Sequence, residues 1–274
     1  MMNKPILHFS HGNSFPGGTY SKFLDRLRPR YDVRSVDMFG HDPAYPVTDG
    51  WPGLVAELIA QLEQYKQPVI LLGHSLGGML SMMAARERPD LARCVVMLDS
   101  PVVAGWRAMV WRTAKALGLS ERLSPAQFSV RRRFVWPDTD SAHAHFGSKD
   151  IFAAWAPGVL ADYLEHGLKP HPEGKQLRFS RDVESAIYSG LPHHMGSVLR
   201  RRFPVPIGCI AGTASVEMSQ AGLGPTRRLV RDNFAKIEGG HLFPMESPDL
   251  AAKLTLDMLD KLLEQARQLA GKAT

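Results

Sequence analysis

The sequence predicts an α/β protein, a mostly parallel sheet of about six strands flanked by helices, with a helical cap inserted between two parts of the core. Three observations carry that expectation. Short apolar runs rich in β-branched residues alternate with longer segments of helical period, the pattern of a parallel sheet covered by helices. The glycine-rich stretch Gly73-His74-Ser75-Leu76-Gly77-Gly78 joins one such run to a helical segment. The alternation stops between Pro101 and Pro204, where tryptophans, prolines and short helical patterns take over. The 274 residues suit one large domain carrying an insertion. The core is therefore assigned to residues 1–100 and 205–274, and the cap to residues 101–204.

Taken in order, the strands expected are Ile6 to Ser10, Val33 to Asp37, Val69 to Gly73, Cys94 to Asp99, Ile207 to Ala211 and Phe234 to Glu238. Between the first two, Phe23, Leu24 and Leu27 make a short apolar stripe ended by Pro29. Leu54, Val55, Leu58, Ile59 and Leu62 make a stronger one, and Met79 to Arg88 begins at the glycine-rich turn. In the cap, Phe152 to Leu168 and Val183 to Tyr188 read as helical and Pro170 to Gly174 as a turn, with no strand expected. At the end, Ser247 can cap a helix whose first turn accepts Pro248, and Leu250, Leu254, Met258, Leu259, Leu262 and Leu263 form its apolar face.

Composition narrows the function classes. Apolar residues make up 44% and charged residues 22%, which excludes disorder as the main state. Lysine and arginine number 33 against 27 acidic residues, a net charge of +6. The densest basic runs, Arg131-Arg132-Arg133 and Arg200-Arg201-Arg202, are too short and too poor in interleaved aromatics for a nucleic-acid stripe and read as solvated faces. Cys94 and Cys209 lie in apolar runs without CxxC spacing, so buried free thiols are favoured over a bridge. The first nine residues lack a secretory apolar core, and the uncharged run Pro68 to Ala85 is better explained as strand, turn and helix than as a membrane span. A cytoplasmic protein without a membrane span is expected.

Gly73-His74-Ser75-Leu76-Gly77 fits G-x-S-x-G, in which a tight strand-to-helix turn holds a serine out above a sheet. The stretch has neither the lysine of a phosphate-binding loop nor the spacing of a dinucleotide fingerprint. A serine hydroxyl needs a base to take its proton, and histidine suits that task near neutrality. His241, in Gly239-Gly240-His241, follows the last expected strand, so the sheet's carboxyl edge can deliver it to Ser75. His143-Ala144-His145 and His193-His194 lack the spacing and companion ligands of a zinc site, and no metal or organic cofactor is expected.

With His11-Gly12 after the first strand, Asp37 to His41 after the second, the elbow at Gly73 to Gly78 and Gly240-His241 near the end, the chain resembles the α/β-hydrolase fold family over nearly its whole length. The resemblance implies an oxyanion hole from the N–H of Leu76 and that of Asn13 or Ser14. It implies loop-bracing roles for His11 and His41. It also implies an aspartate after the penultimate strand, where this chain has Gly212-Thr213-Ala214-Ser215. Two carboxylates remain as the acid: Asp99, which ends the strand after the elbow and is favoured, and Glu217. The family's usual first two strands are absent ahead of Ile6, so Val33 to Asp37 becomes an edge, guarded by Asp32 and Arg34 or paired in a homodimer.

Serine at the elbow disfavours the dehalogenases and epoxide hydrolases of this fold, which use aspartate. The expected activity is a carboxylesterase-like serine hydrolase acting on a small or medium, partly apolar ester or thioester through an acyl-enzyme. Trp106, Met109 and Trp155 of the cap are expected to line an apolar pocket above the serine. Two other readings use the same residues: a C–C bond hydrolase of a diketone acid, and a small-molecule binding protein of this fold with little turnover.

Overall fold

Strictly alternating burial along the central strands separates two apolar layers. Ile70 and Leu72, with Cys94, Val96 and Leu98, enter one layer, while Val69 and Leu71, with Val95 and Met97, enter the other. A strand covered on both faces reads as a continuous apolar run, which is why these segments stood out in the sequence. The computed structural model describes residues 4–271. Among them are nine strands: β1 Ile6–Ser10, β2 Asp32–Ser35, β3 Val69–His74, β4 Ala92–Leu98, β5 Val135–Trp136, β6 Leu168–His171, β7 Gly174–Leu177, β8 Ile207–Gly212 and β9 Phe234–Ile237. Six of them form one sheet in the order β2-β1-β3-β4-β8-β9, and all its neighbours run parallel.

The first layer lies under Ser21–Asp25 and the long terminal helix Pro248–Gly271, which inserts Ala251, Met258, Leu259 and Leu262. Helices Pro52–Glu63 and Leu76–Glu87 cover the other layer through Leu54, Leu58, Met79 and Leu80. Burying each such leucine contributes roughly 1.5–3 kcal/mol. Cys94 and Cys209 are buried and unbridged, and they sit in opposite layers, so the sheet itself stands between the two thiols. β2 is an edge, as expected, and its exposed face carries the Asp32–Arg34 ion pair.

Between β4 and β8 the chain leaves the sheet. Helices Trp106–Ala116, Thr139–Gly147, Val159–Gly167 and Arg181–Ser189 are the principal ones there, and Asp138 caps the second by accepting from the Ser141 N–H at 2.7 Å. Two expectations for this region need correction. It contains a small antiparallel sheet, ordered β5-β7-β6, where no strand was foreseen. β6 and β7 are short and mostly polar, Leu-Lys-Pro-His and Gly-Lys-Gln-Leu, β5 is only the pair Val-Trp, and Pro170 is tolerated because β6 is an edge. The expected helix from Phe152 to Leu168 is broken: Asp150–Ala153 ends early, and Val159–Gly167 restarts after Pro157-Gly158, with Gly158 at a φ of 84°. No helix among the described residues is long and apolar enough to cross a membrane.

Candidate active site

Ser75 follows β3 directly and precedes helix Leu76–Glu87, with φ 51° and ψ −116°. A non-glycine residue at such angles carries strain, of order 1–3 kcal/mol, which persists only where surroundings enforce it. Here the enforcing feature is close packing without side chains. A Cβ on Gly77 would lie 2.0 Å from the Ser10 carbonyl oxygen, so the start of the helix can rest on β1 only as glycine. Ser75 is thereby lifted to the carboxyl edge of the sheet, its N–H donating to the Leu98 carbonyl at 2.9 Å. Leu76 is the first helical residue, and the first-turn N–H groups of a helix have no acceptor within it.

The loop after β9 brings His241 to the serine. Its Nε2 is 2.9 Å from Ser75 Oγ and its Nδ1 is 2.6 Å from Asp99 Oδ2. A carboxylate only accepts, so Nδ1 carries the proton and Nε2 is left to accept from the serine hydroxyl. Burial disfavours the imidazolium, but the hydrogen bond to Asp99 and the charges of Glu217, Asp99 and Glu246 outweigh it and raise the His241 pKa above its ordinary value. Asp99 is fully buried, one residue past β4, at a φ of 45°. Its Oδ1 accepts from the Gly212 N–H at 2.7 Å and its Oδ2 from the Ser215 hydroxyl at 2.5 Å. Ser215, which occupies the place where the family resemblance implied an aspartate, thus donates to the carboxylate on the neighbouring strand and also caps helix Val216–Ala221. Glu217 stands farther from His241 Nδ1, at 3.7 Å, and is about half exposed.

Behind the serine and histidine lies a chain of hydrogen bonds with a fixed direction. His74 Nε2 donates to the His241 carbonyl at 2.9 Å, so its Nδ1 accepts from the Tyr20 hydroxyl at 2.7 Å, and the Tyr20 oxygen accepts from the Gly12 N–H at 3.0 Å. Burial and the neighbouring His241 hold the His74 pKa well below the ordinary value, which keeps the ring neutral as this pattern requires. Glu246 accepts from the Gly240 N–H at 2.8 Å and fixes the same loop. His11 and His41 brace the loop after β2: His11 Nε2 accepts from the Phe39 N–H and His41 Nε2 from the Ser180 N–H, the latter tying core to insertion.

Asn13 and Ser14 are buried, and Ser14 has a φ of 76°. A residue from the insertion clamps both: the Glu184 carbonyl accepts from Asn13 Nδ2 at 3.1 Å, and its carboxylate accepts from the Ser14 hydroxyl at 2.5 Å. Arg132 pairs with the same carboxylate at 2.6 Å, so one member of the Arg131 to Arg133 run is a partly buried ion-pair partner and not a solvated charge. Sequence reasoning missed Tyr20, Glu184 and Arg132, which lie far along the chain from their partners. His74 stood in view within the elbow motif, but its role depends on a tyrosine 54 positions away.

Trp155 is buried against Phe15, Phe152 and Tyr163. Trp106 and Met109, expected beside it over the serine, are instead 65% and 61% exposed, which corrects that expectation: their helix buries Ala108 and Ala114 and turns these two outward. His145 stacks near Trp136 and Phe146, and His193 and His194 pack on each other. Asp99, Glu217 and His241 offer ligand atoms within 4.8 Å of one another, yet both nitrogens of the imidazole are committed to Ser75 and Asp99.

The arrangement is a serine on a strained strand-to-helix turn at the carboxyl edge of an open parallel sheet, hydrogen-bonded to a histidine that is itself held by a buried aspartate. Residues 9–254 match the alpha/beta hydrolase family, and the chain belongs to that family. A pimeloyl-[acyl-carrier protein] methyl ester esterase of Xanthomonas axonopodis pv. citri is 30% identical over 51% of this chain and 56% of its own length. The chain thus spans little over half of that relative. The protein of that name from Xanthomonas oryzae pv. oryzae is 29% identical over 69% of this chain and 71% of its own. A 2-(acetamidomethylene)succinate hydrolase of Mesorhizobium japonicum is 25% identical over 93% and 88%. Among solved structures, E-2-(acetamidomethylene)succinate hydrolase superposes with a TM-score of 0.74 at 21% identity, covering 94% of this chain and 92% of that one. The curacin thioesterase domain gives 0.70 at 18% identity, covering 92% and 91%.

Proposed function

We propose that the protein is a serine hydrolase that cleaves a small or medium, partly apolar ester or thioester through an acyl-enzyme. The observation that carries this reading is the hydrogen-bonded series Ser75, His241, Asp99, at 2.9 and 2.6 Å, with the serine on a strained turn. His241 takes the Ser75 proton as the hydroxyl attacks the acyl carbon, and Asp99 holds the ring in the tautomer that accepts. The backbone N–H of Leu76, with that of Asn13 or Ser14, receives the charge developing on the carbonyl oxygen, each such donor supplying about 3–4 kcal/mol in the transition state. The imidazolium then protonates the leaving alcohol or thiol, and water, deprotonated by the same ring, releases the acid.

The esterase and thioesterase names among the relatives and structural neighbours support an acyl substrate of this kind. A diketone-acid substrate would need a cation for its acid tail, and Arg132, beside Ser14, is already paired with Glu184. A receptor with little turnover would not need the serine proton aligned on a base. The test is labelling by a fluorophosphonate together with turnover of p-nitrophenyl esters and thioesters of graded chain length. Rapid labelling and turnover, both lost in Ser75→Ala, are expected; an unreactive Ser75 in the folded protein would overturn the reading.

A further inference from the structure

Helix Trp106–Ala116 presents its apolar stripe to solvent. Trp106, Met109 and Val110, with Leu117 just past its end, recur at the spacing of one helical face, and each is more than half exposed. Leu123 and Phe128, 63% and 70% exposed, extend the surface. Of eleven exposed large hydrophobic residues among those described, seven lie within residues 106–130. Exposed apolar surface of this concentration marks an interaction face.

Its charge is equally concentrated. Residues 105–133 carry seven lysines and arginines against Glu121 alone, an excess of six, which equals the net charge of the whole chain. Lys115 is paired with Asp49 and Arg132 with Glu184, while Arg107, Arg112, Arg122, Arg131 and Arg133 have no ion pair among the described residues. Arg107 lies over the Trp106 ring at 4.6 Å, so cation and apolar surface are interleaved. A second copy is a poor occupant, because a symmetric contact would oppose two such cationic faces. A soluble acidic protein would need pockets matched to side chains that protrude from two helices and the turns between them. A bilayer interface accepts protruding tryptophan, methionine and leucine without matched shape, and anionic headgroups meet the arginines.

We propose that this face of the insertion docks on the surface of anionic phospholipid bilayers, with Trp106, Met109, Val110 and Leu117 in the interfacial layer and the arginines among the headgroups. The proposal is independent of which ester the site cleaves. The test is flotation of the full chain with phosphatidylcholine vesicles, with and without phosphatidylglycerol, at low and high salt. Binding about tenfold or more stronger to the anionic vesicles, weakened by salt, is expected. The triple variant Trp106→Ser, Met109→Ser, Val110→Ser and the double variant Arg107→Glu, Arg112→Glu should each lose about tenfold or more while keeping the wild-type far-ultraviolet circular dichroism and urea midpoint. Equal partitioning of wild type to both vesicle types would overturn the proposal, as would undiminished binding by folded variants. So would a dimer in sedimentation that the triple variant abolishes, or retention on an immobilised acidic carrier protein with no vesicle binding.

Discussion

Asp99 holds a left-handed backbone conformation at full burial, and three donors converge on its carboxylate: Gly212 N–H, Ser215 Oγ and His241 Nδ1. Glu217 reaches the same imidazole only at 3.7 Å from a half-exposed position. The two therefore make different predictions. Asp99→Asn should lower kcat by about 10⁴-fold, because an amide can stabilise the wrong tautomer of His241. Glu217→Gln should leave kcat within a few-fold and move the pH profile. The charge of Glu217 favours the imidazolium, so removing it lowers the His241 pKa. Since catalysis needs the neutral ring, the acid limb of kcat/KM should shift to lower pH in Glu217→Gln, as a pH series with a p-nitrophenyl ester would read. Tyr20→Phe should reduce kcat while sparing KM, because it leaves the Gly12 N–H and His74 Nδ1 without their partner. Steady-state kinetics on the same ester separates the two parameters.

The elbow works as an element because a helix start, two strands and a loop meet without room for a methyl group. Gly77→Ala would place a Cβ 2.0 Å from the Ser10 carbonyl oxygen. Relieving that overlap should cost about 1–3 kcal/mol, seen as a lower urea midpoint, and should slow fluorophosphonate labelling by displacing Ser75. The central strands could be read from the sequence because burial on both faces writes them as unbroken apolar runs, and the terminal helix because its stripe keeps one period over several turns. β5, β6 and β7 could not be read: β5 is only the pair Val135–Trp136, while β6 and β7 have four mostly polar residues each, with Pro170 in one and Gly174 in the other, and their pairing is a product of the surrounding packing. Ser75 and His241 stood in local motifs. The Glu184 clamp and the Tyr20 relay did not, since each joins residues whose proximity exists only after the insertion or the sheet has formed.

Across the whole molecule, the buried neutral histidines tie stability to pH. Burial lowers His8 and His11 to about 4 and His74 well below the ordinary value, so from about pH 6.5 downward the unfolded chain binds protons that the folded one refuses. Stability should therefore fall as the pH drops from neutrality toward 4, by on the order of a few kcal/mol for each of His8 and His11, with His74 acting in the same direction. Unfolding midpoints in urea across that range would show the decline, and a flat profile would contradict it. The position of β9 has a separate consequence. Ser75 and Asp99 follow the adjacent inner strands β3 and β4, whereas His241 follows β9, the outermost strand on its side. Peripheral strands fray at lower free energy than the centre of a sheet. Gentle heating should consequently silence the proposed activity by loosening one margin while the remaining architecture persists, and the loss should reverse on cooling.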